Sequence, residues 1–153
     1  MKTINVEVKT WEKYRRPLLN FVKRYDKNVD WIFKLRRHHL SQTGTIIKLA
    51  LWEGKIIAAF AFLDYGTKES LFIISPSYQN THIGTKLLKE VIHELGVCYT
   101  KLPYEQAALL KTALLSGMVA FNYTVDNNGS MLLWLGGGQW HIDDISEQEA
   151  SCE

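Results

Sequence analysis

The stretch 78–88, YQNTHIGTKLL, combines residue types that can hold an anion. The first turn of a helix has backbone N–H groups without internal partners, and the helix dipole adds partial positive charge there. Phosphate is therefore favoured at such an entrance. Gly84 has no side chain, so a ligand could approach the backbone closely. Thr81 and Thr85 add hydroxyl groups, and Lys86 adds a mobile cation.

The spacing in this stretch does not by itself select a ligand. It lacks the GxxxxGK[ST] pattern of a Walker A loop and the GxGxxG pattern of a dinucleotide site. Taken alone, the stretch is more typical of an ordinary helix start with a small residue for packing. The elements around it must decide between these two interpretations.

Two helices and one strand are predicted before residue 45. Alternating residues indicate a short strand over 4–9. Apolar residues three and four apart predict a helix over 11–25, with Thr10 as N-cap and Pro17 as a point where it begins late, kinks or splits. A second apolar set predicts another helix across 29–41.

The rest of the chain alternates between strand and helix periods. Glu53-Gly54 separates two apolar runs as a hairpin turn, and GlyGlyGly at 136–138 is predicted to break the chain. The resulting order is β-α-α-β-β-β-α-β-α-β-β, which predicts an α/β, mixed α+β domain. The further predicted elements are strands 70–75, 97–102, 118–125 and 130–135, and helices 83–95 and 104–117.

Composition narrows the class of protein. A length of 153 residues with 46% hydrophobic residues is sufficient for one domain with its own core. We divide the chain into a domain over 1–138 and an acidic tail over 139–153. Cys98 and Cys152 have no metal-ligand spacing, and no signal-peptide pattern or long apolar stretch is present. The sequence thus predicts a cytoplasmic protein without metal, disulfide or membrane span.

The charge is uneven along the chain. Between Lys9 and His39 there are ten Lys or Arg residues and three acidic residues. Such a block can attract nucleic acid, an acidic substrate or an acidic partner, or it can be a solvated helix face. We favour the solvated face and predict no nucleic-acid binding, since no reader motif is present.

The segment 73–92, IISPSYQNTHIGTKLLKEVI, resembles the central motif of the GCN5-related N-acetyltransferases (the GNAT family). Ile74, Pro76, Gln79 and Gly84 match that motif, whereas His82 stands where the family has its first glycine. The order of elements is similar to the family's up to about residue 135. The resemblance implies a single GNAT-like domain with a central mixed, mostly antiparallel sheet flanked by helices.

The resemblance also implies acetyl-coenzyme A (acetyl-CoA) as co-substrate. The pantetheine arm would pair with backbone groups at Ile73 and Ile74, and Gln106 aligns with a family asparagine. Loop N–H groups would hold the pyrophosphate, with Lys86 nearby. The loop residues are Gln79, Asn80, Thr81, His82, Ile83, Gly84 and Thr85.

The implied activity is direct acetyl transfer to a small-molecule or peptide amine. Glu69, Tyr99 and Tyr104 are candidate catalytic residues, because an ammonium must lose a proton before it attacks. Ala113 occupies the place of the tyrosine that in this family often protonates the departing thiolate. That proton would instead come from Thr112, Ser116, another tyrosine or solvent.

Two alternatives stay open at this stage. One is a catalytically silent acyl-CoA-binding protein that acts as sensor or scaffold. The other is a nucleic-acid or protein-binding module that uses the basic block. A homodimer through the last strands is a further expectation.

Overall fold

Within residues 1–79 and 81–145, which the computed structural model describes, the chain forms seven β-strands and three α-helices. The predicted mixed α+β fold is confirmed. In chain order the elements are β1 (Lys2–Asn5), α1 (Trp11–Tyr25), β2 (Ile46–Trp52), β3 (Lys55–Leu63), β4 (Glu69–Ile74), α2 (Ile83–Leu95), β5 (Val97–Pro103), α3 (Ala107–Leu115), β6 (Val119–Val125) and β7 (Met131–Gly138).

The first four strands form one antiparallel sheet in the order β1-β2-β3-β4. The β2–β3 hairpin turns at Glu53 and Gly54, which have φ values of 51° and 78°. Positive φ at both central residues matches the right-handed twist of the strands, which confirms the predicted turn. The middle strands are apolar on both faces because helices cover both sides.

The helices divide the core into two layers. Helix α1 packs with Ile47, Leu49 and Leu71 on one face of the first sheet. Helices α2 and α3 pack with the alternate residues of the same strands on the other face. On that face the buried Lys48 of β2 pairs with Glu90 and Glu94 of α2. Pro17 lies inside α1, which runs unbroken from Trp11 to Tyr25.

The remaining strands form a second antiparallel sheet in the order β5-β7-β6. The predicted chain break at 136–138 is wrong, because these glycines complete β7 and pair with Val97, Cys98 and Tyr99. A Cβ atom on Gly136 would lie 2.7 Å from the Trp140 side chain. Glycine is needed there for close packing within a strand.

The helix predicted across 29–41 is also wrong. Two short 3₁₀ helices, Trp31–Lys34 and Arg37–Ser41, replace it, because Leu35 and Arg36 have extended backbone between them. The Arg36 N–H donates to His39 Nδ1 at 2.8 Å, so a side chain takes a bond that a helix would give to its backbone. Ile32 and Leu35 are still buried in the core layer that contains α1. The spacing of the apolar residues therefore indicated burial correctly, but it did not indicate a helix.

The residues after β7 continue along the second sheet. Trp140 stacks on Phe121 with ring centroids 4.9 Å apart, and Ile145 is buried beside Tyr99 and Trp134. The predicted acidic tail begins at 139, and its residues 146–153 lie outside the described part of the chain. In the described residues no helix has the length and apolar character to cross a membrane.

Candidate functional site

A cleft opens where the two sheets meet at β4 and β5. The strands share a side-chain contact near one end, where Ser70 Oγ and Thr100 Oγ1 are 2.8 Å apart, but they belong to separate sheets. Toward the Ile74 end a cavity of about 430 Å³ lies among β4, α3 and the last turn of α1. We call it the β4 cleft. Its walls include the predicted cofactor residues Ile73, Ile74, Gln79 and Gln106.

The register of β4 decides which of its backbone groups face this cleft. The Ser75 N–H donates to Ile57 O at 2.8 Å, and Ile73 lies opposite Ala59. Because bonded and non-bonded pairs alternate in an antiparallel ladder, Ile73 also directs its backbone groups to β3. Phe72 and Ile74 direct theirs away from β3, toward the gap. Ile74 O already accepts a long hydrogen bond from Gln79 Nε2 at 3.4 Å.

The entrance of α2 lies beside this end of β4. The Lys86 N–H is bonded to His82 O at 2.9 Å, and the N–H groups before it belong to the unpaired first turn. Thr81 Oγ donates to Tyr78 O at 2.6 Å and accepts weakly from the Ile83 N–H at 3.4 Å. The predicted loop residue Asn80 lies outside the described residues.

His82 fits this loop without strain. It has φ −82° and ψ 7°, values that do not require glycine, and its side chain is exposed. The imidazole therefore stands on the outside of the loop. Lys86 is exposed nearby, and Thr85 is half-buried.

The missing side chain of Gly84 makes room for close packing, which was one of the two interpretations of this stretch. A Cβ atom at this position would lie 2.6 Å from Ile74 Cδ1 and 3.1 Å from Thr112 Cγ2. The missing side chain thus faces β4 and α3 inside the core, and not a ligand. Glycine allows the start of α2 to pack closely on the strand that forms the cleft.

Glu69 lies at the opposite end of β4. It is exposed, and it lies five residues before Ile74 along the strand, a distance of roughly 16 Å. Partial desolvation raises the pKa of Glu69, the Asp30 carboxylate raises it further, and Lys101 lowers it. A carboxyl with a raised pKa is better matched to taking a proton near neutral pH.

The two tyrosine candidates do not line the β4 cleft. Tyr99 is buried in the second sheet, where its hydroxyl contacts the Asp144 carboxylate and accepts from the His141 N–H at 2.9 Å. Burial, followed by the bond with Asp144, raises its pKa to about 12. These partners give Tyr99 a structural role. Tyr104 is 53% exposed at the end of β5.

Sequence reasoning missed the ionisable residues that α1 brings to the cleft. Tyr25 and Asp26 line it at the end of that helix. The Ser75 side chain, and then Arg24, lower the pKa of the Tyr25 phenol. Tyr25 occurs at the last apolar position of the α1 pattern, so its spacing indicated only packing.

The hydroxyls considered as substitutes for the family tyrosine are turned into the protein. Thr112 Oγ donates to Ala108 O at 3.0 Å, and Ser116 Oγ donates to Thr112 O at 2.7 Å. Both residues are buried, and Ala113 between them is fully buried in the core. Across the described ranges, no three His, Cys, Asp or Glu side chains are grouped as a metal site requires.

Comparisons with known proteins support the fold through structure. No protein-family profile matches the chain, and no curated protein matches its sequence. A GNAT-family acetyltransferase from Streptococcus pneumoniae is similar in structure, with TM-score 0.65 and 16% identity over 90% of this chain and 99% of that chain. A spermidine N-acetyltransferase chimera from Vibrio cholerae has TM-score 0.68 and 14% identity over 91% and 97%.

A third similar structure contains a ligand. It is a Salmonella typhimurium protein with its cofactor acetyl-CoA, with TM-score 0.66 and 15% identity over 92% of this chain and 95% of that chain. At these identities the likeness concerns the arrangement of the backbone. The chain has the fold of the GCN5-related N-acetyltransferases.

Proposed function

We propose that this protein is an N-acetyltransferase that moves an acetyl group from acetyl-CoA to an amine. The observation that carries the proposal is the β4 cleft, a cavity of mixed polar and apolar lining along the end of β4, between α3 and the last turn of α1. A thioester arm needs a channel with a few backbone partners, and a pyrophosphate needs N–H groups. The end of β4 would supply the first, and the entrance of α2, which follows β4 in the chain, would supply the second.

The residues of the cleft suit this co-substrate. Phe72 and Ile74 present backbone groups that are free of the β3 ladder, and these would bond the amides of a pantetheine arm. The N–H groups of His82, Gly84 and Thr85 and the cation of Lys86 would hold the pyrophosphate, whereas the Thr81 N–H donates to Tyr78 O at 3.2 Å. The side-chain amide of Gln106, at the start of α3, would donate or accept a hydrogen bond from the wall of the cleft that α3 forms. When bound, acetyl-CoA supplies an activated acyl group.

The start of β4 is the best candidate for proton transfer. An arm that enters at Ile74 and follows β4 points toward Glu69, which can take the proton of an ammonium directly or through water. Its raised pKa makes it a stronger base than an ordinary carboxylate. Asp30 stands close enough to influence Glu69, but Asp30 also pairs with Lys34 and Lys101 lies near Glu69, so this end carries both signs of charge.

The acceptor class is inferred from the structural neighbours. One structural relative is a spermidine N-acetyltransferase, and another is a ribosomal-protein-alanine N-acetyltransferase from Brucella melitensis. We infer a small-molecule or peptide amine for this chain.

The proposal is tested by calorimetry with acetyl-CoA, followed by thiol release with a panel of polyamines and peptides. We expect micromolar binding and thiol release that depends on the amine. Glu69→Gln should lower kcat while the dissociation constant for acetyl-CoA stays within about twofold. Absence of acetyl-CoA binding at millimolar concentration would refute the proposal.

A catalytically silent acyl-CoA sensor is the second candidate. It is favoured by Ala113 and by the hydroxyls of Thr112 and Ser116, which bond within their own helix and cannot protonate a departing thiolate. This candidate predicts acetyl-CoA binding without thiol release for every amine in the panel. The same two measurements therefore separate the candidates.

A further inference from the structure

A second cleft lies between the first half of α1 and the two short 3₁₀ helices that follow it. Its volume is about 710 Å³. The apolar part of its lining includes Trp11 and Leu35, which are 3% and 5% exposed. We call it the basic cleft, because its charged lining consists of one acid and four cations. These residues are Glu12, Arg15, Lys34, Arg36 and Arg37.

The positive charge of the basic cleft is only partly balanced by ion pairs. Glu12 pairs with Arg37, and Lys34 of the cleft pairs with an aspartate outside it at 3.7 Å. Among the described residues, Arg15 and Arg36 take part in no ion pair. Arg15 comes from α1 and Arg36 from the connection that follows, so the fold concentrates cations from two segments. Two guanidinium groups in one cleft favour a ligand with carboxylates, which they can bind in bidentate geometry.

The shape of the basic cleft favours a peptide over a nucleic acid. Bases of single-stranded nucleic acids stack on exposed aromatic faces. Trp11 is buried and offers no such face, and Phe33 is half-buried. A concave cleft of this volume has room instead for several side chains of an extended peptide.

The basic cleft and Glu69 lie on the same side of the first sheet. Successive strand residues point to opposite faces, so Glu69 shares the face of Leu71 and Ile73. Leu71 and Ile73 pack in the core layer that also contains α1 and Leu35 of the cleft. The sheet therefore does not separate the cleft from Glu69.

The two places also lie at the same end of that sheet. Residues 42–45 connect the second 3₁₀ helix to Ile46, the first residue of β2. Ile46 lies opposite Phe62 of β3, and Phe62 lies opposite Ser70, the neighbour of Glu69. The 3₁₀ helices that bound the cleft are therefore close to the start of β4.

Asp30 links the basic cleft to Glu69 directly. It precedes the first 3₁₀ helix, raises the pKa of Glu69, and pairs with Lys34 in the lining of the cleft. A peptide whose amine lies at Glu69 can therefore extend past Asp30 and bring its following residues to the cations of the cleft.

We propose that the basic cleft binds the acidic side chains of a peptide acceptor, whose amine then lies at the start of β4. The inference rests on the proposed function, because it names the class of amine that receives the acetyl group. In the transfer, the amine nitrogen bonds to the acetyl carbon and the C–S bond of the thioester breaks. The ammonium loses one proton to Glu69 and a second, by way of solvent, to the departing sulfur. Arg15 and Arg36 hold the acidic residues and take no part in these steps.

The test measures thiol release from acetyl-CoA with two peptides that share a free amino terminus and differ only in having four glutamates or four glutamines after it. We expect kcat/KM to be at least about tenfold higher for the acidic peptide, the effect of one charge-assisted contact, mainly through a lower KM. Added salt should reduce this preference. In the Arg15→Gln/Arg36→Gln double variant the ratio of the two kcat/KM values should fall to within about twofold of one. Arg16→Gln/Lys23→Gln removes the same charge from exposed positions of α1 outside the cleft and should keep the full preference.

Other outcomes separate the inference from the proposed function. Acetylation of both peptides with equal kcat/KM, or a preference that survives in the double variant, would overturn the inference and leave the proposed function standing. A higher kcat/KM for spermidine than for the acidic peptide would also overturn it, because the cations of the cleft repel a polycation. Stronger inhibition by a short oligonucleotide than by an amino-blocked glutamate peptide of equal charge would make the cleft a nucleic-acid site instead. If no amine in the panel releases thiol, the proposed function fails and the inference fails with it.

Discussion

Gly84 offers the sharpest test of how this site is built. The structure directs its missing side chain at Ile74 Cδ1, 2.6 Å from where a Cβ would lie, and at Thr112 Cγ2, 3.1 Å away. Gly84→Ala should therefore be destabilising although alanine is the better helix former. Ile74→Val removes the Cδ1 atom, so it should relieve most of the crowding that the alanine introduces.

The expected magnitudes come from two opposing terms. Overpacking a filled core costs about 1–3 kcal/mol, and the gain in helix propensity is less than about 1 kcal/mol because Gly84 is in the first turn. We expect Gly84→Ala to lower the free energy of unfolding by about 1–2 kcal/mol. Ile74→Val alone should cost about 0.5–1.5 kcal/mol. Combined, the two should cost no more than Ile74→Val alone, a coupling of at least about 1 kcal/mol.

Urea unfolding of the four proteins in this cycle measures the coupling. Ile73→Val in the Gly84→Ala background is the matched control, since Ile73 makes the same chemical change on the opposite face of β4. The changes in the free energy of unfolding caused by Ile73→Val and Gly84→Ala should add to within about 0.5 kcal/mol. Unchanged stability of Gly84→Ala, together with weaker acetyl-CoA binding, would refute the packing argument and restore the earlier prediction that a ligand approaches the backbone at this position.

Three further predictions concern charged and polar groups. If Glu69 is the base, thiol release should fall as pH drops through its raised pKa, and Asp30→Asn should move this fall to lower pH because it removes a negative neighbour; an unmoved pH–rate profile would contradict the assignment. Tyr99→Phe should cost about 1–2 kcal/mol in urea without changing the dissociation constant for acetyl-CoA. The pKa of Tyr99 is raised to about 12, so its contribution is present below pH of about 10 and lost as pH rises toward 12; the variant should lose less stability over that interval. Lys48→Met should cost about 1–3 kcal/mol in urea, because Glu90 and Glu94 keep unpaired charges, and less in a Glu90→Gln/Glu94→Gln background; an equal cost in both backgrounds would exclude an electrostatic origin.

The parts of the fold that could be predicted are those with local causes. The period of the apolar residues over 83–95 predicted α2 with both ends correct, and Glu53-Gly54 predicted the hairpin turn. The helix over 29–41 was wrong because Ile32 and Leu35 are buried by contacts with α1, which lies elsewhere in the sequence. The break at 136–138 was wrong because these glycines make room for Trp140 and for α2.

The two ends of β4 also differ in whether their surroundings come from neighbouring or from distant parts of the sequence. The binding end is contiguous in sequence, since strand, loop and helix entrance follow one another from Phe72 to Lys86. A local pattern could therefore predict much of it, whereas the ionisable residues that it missed, Tyr25 and Asp26, come from α1.

The proton-transfer end is assembled from distant segments, and no sequence spacing encodes it. Burial raises the pKa of Glu69, Asp30 raises it further and Lys101 lowers it, and Thr100 meets Ser70 where the sheets touch. These contacts exist only once the 26–45 connection and β5 have packed against β4. If the proposed function holds, changes in those two segments should alter the pH dependence of transfer and the choice of amine while the affinity of the β4 cleft for acetyl-CoA is unchanged. Thiol release and acetyl-CoA affinity should accordingly vary independently among variants of Asp30 and Lys101.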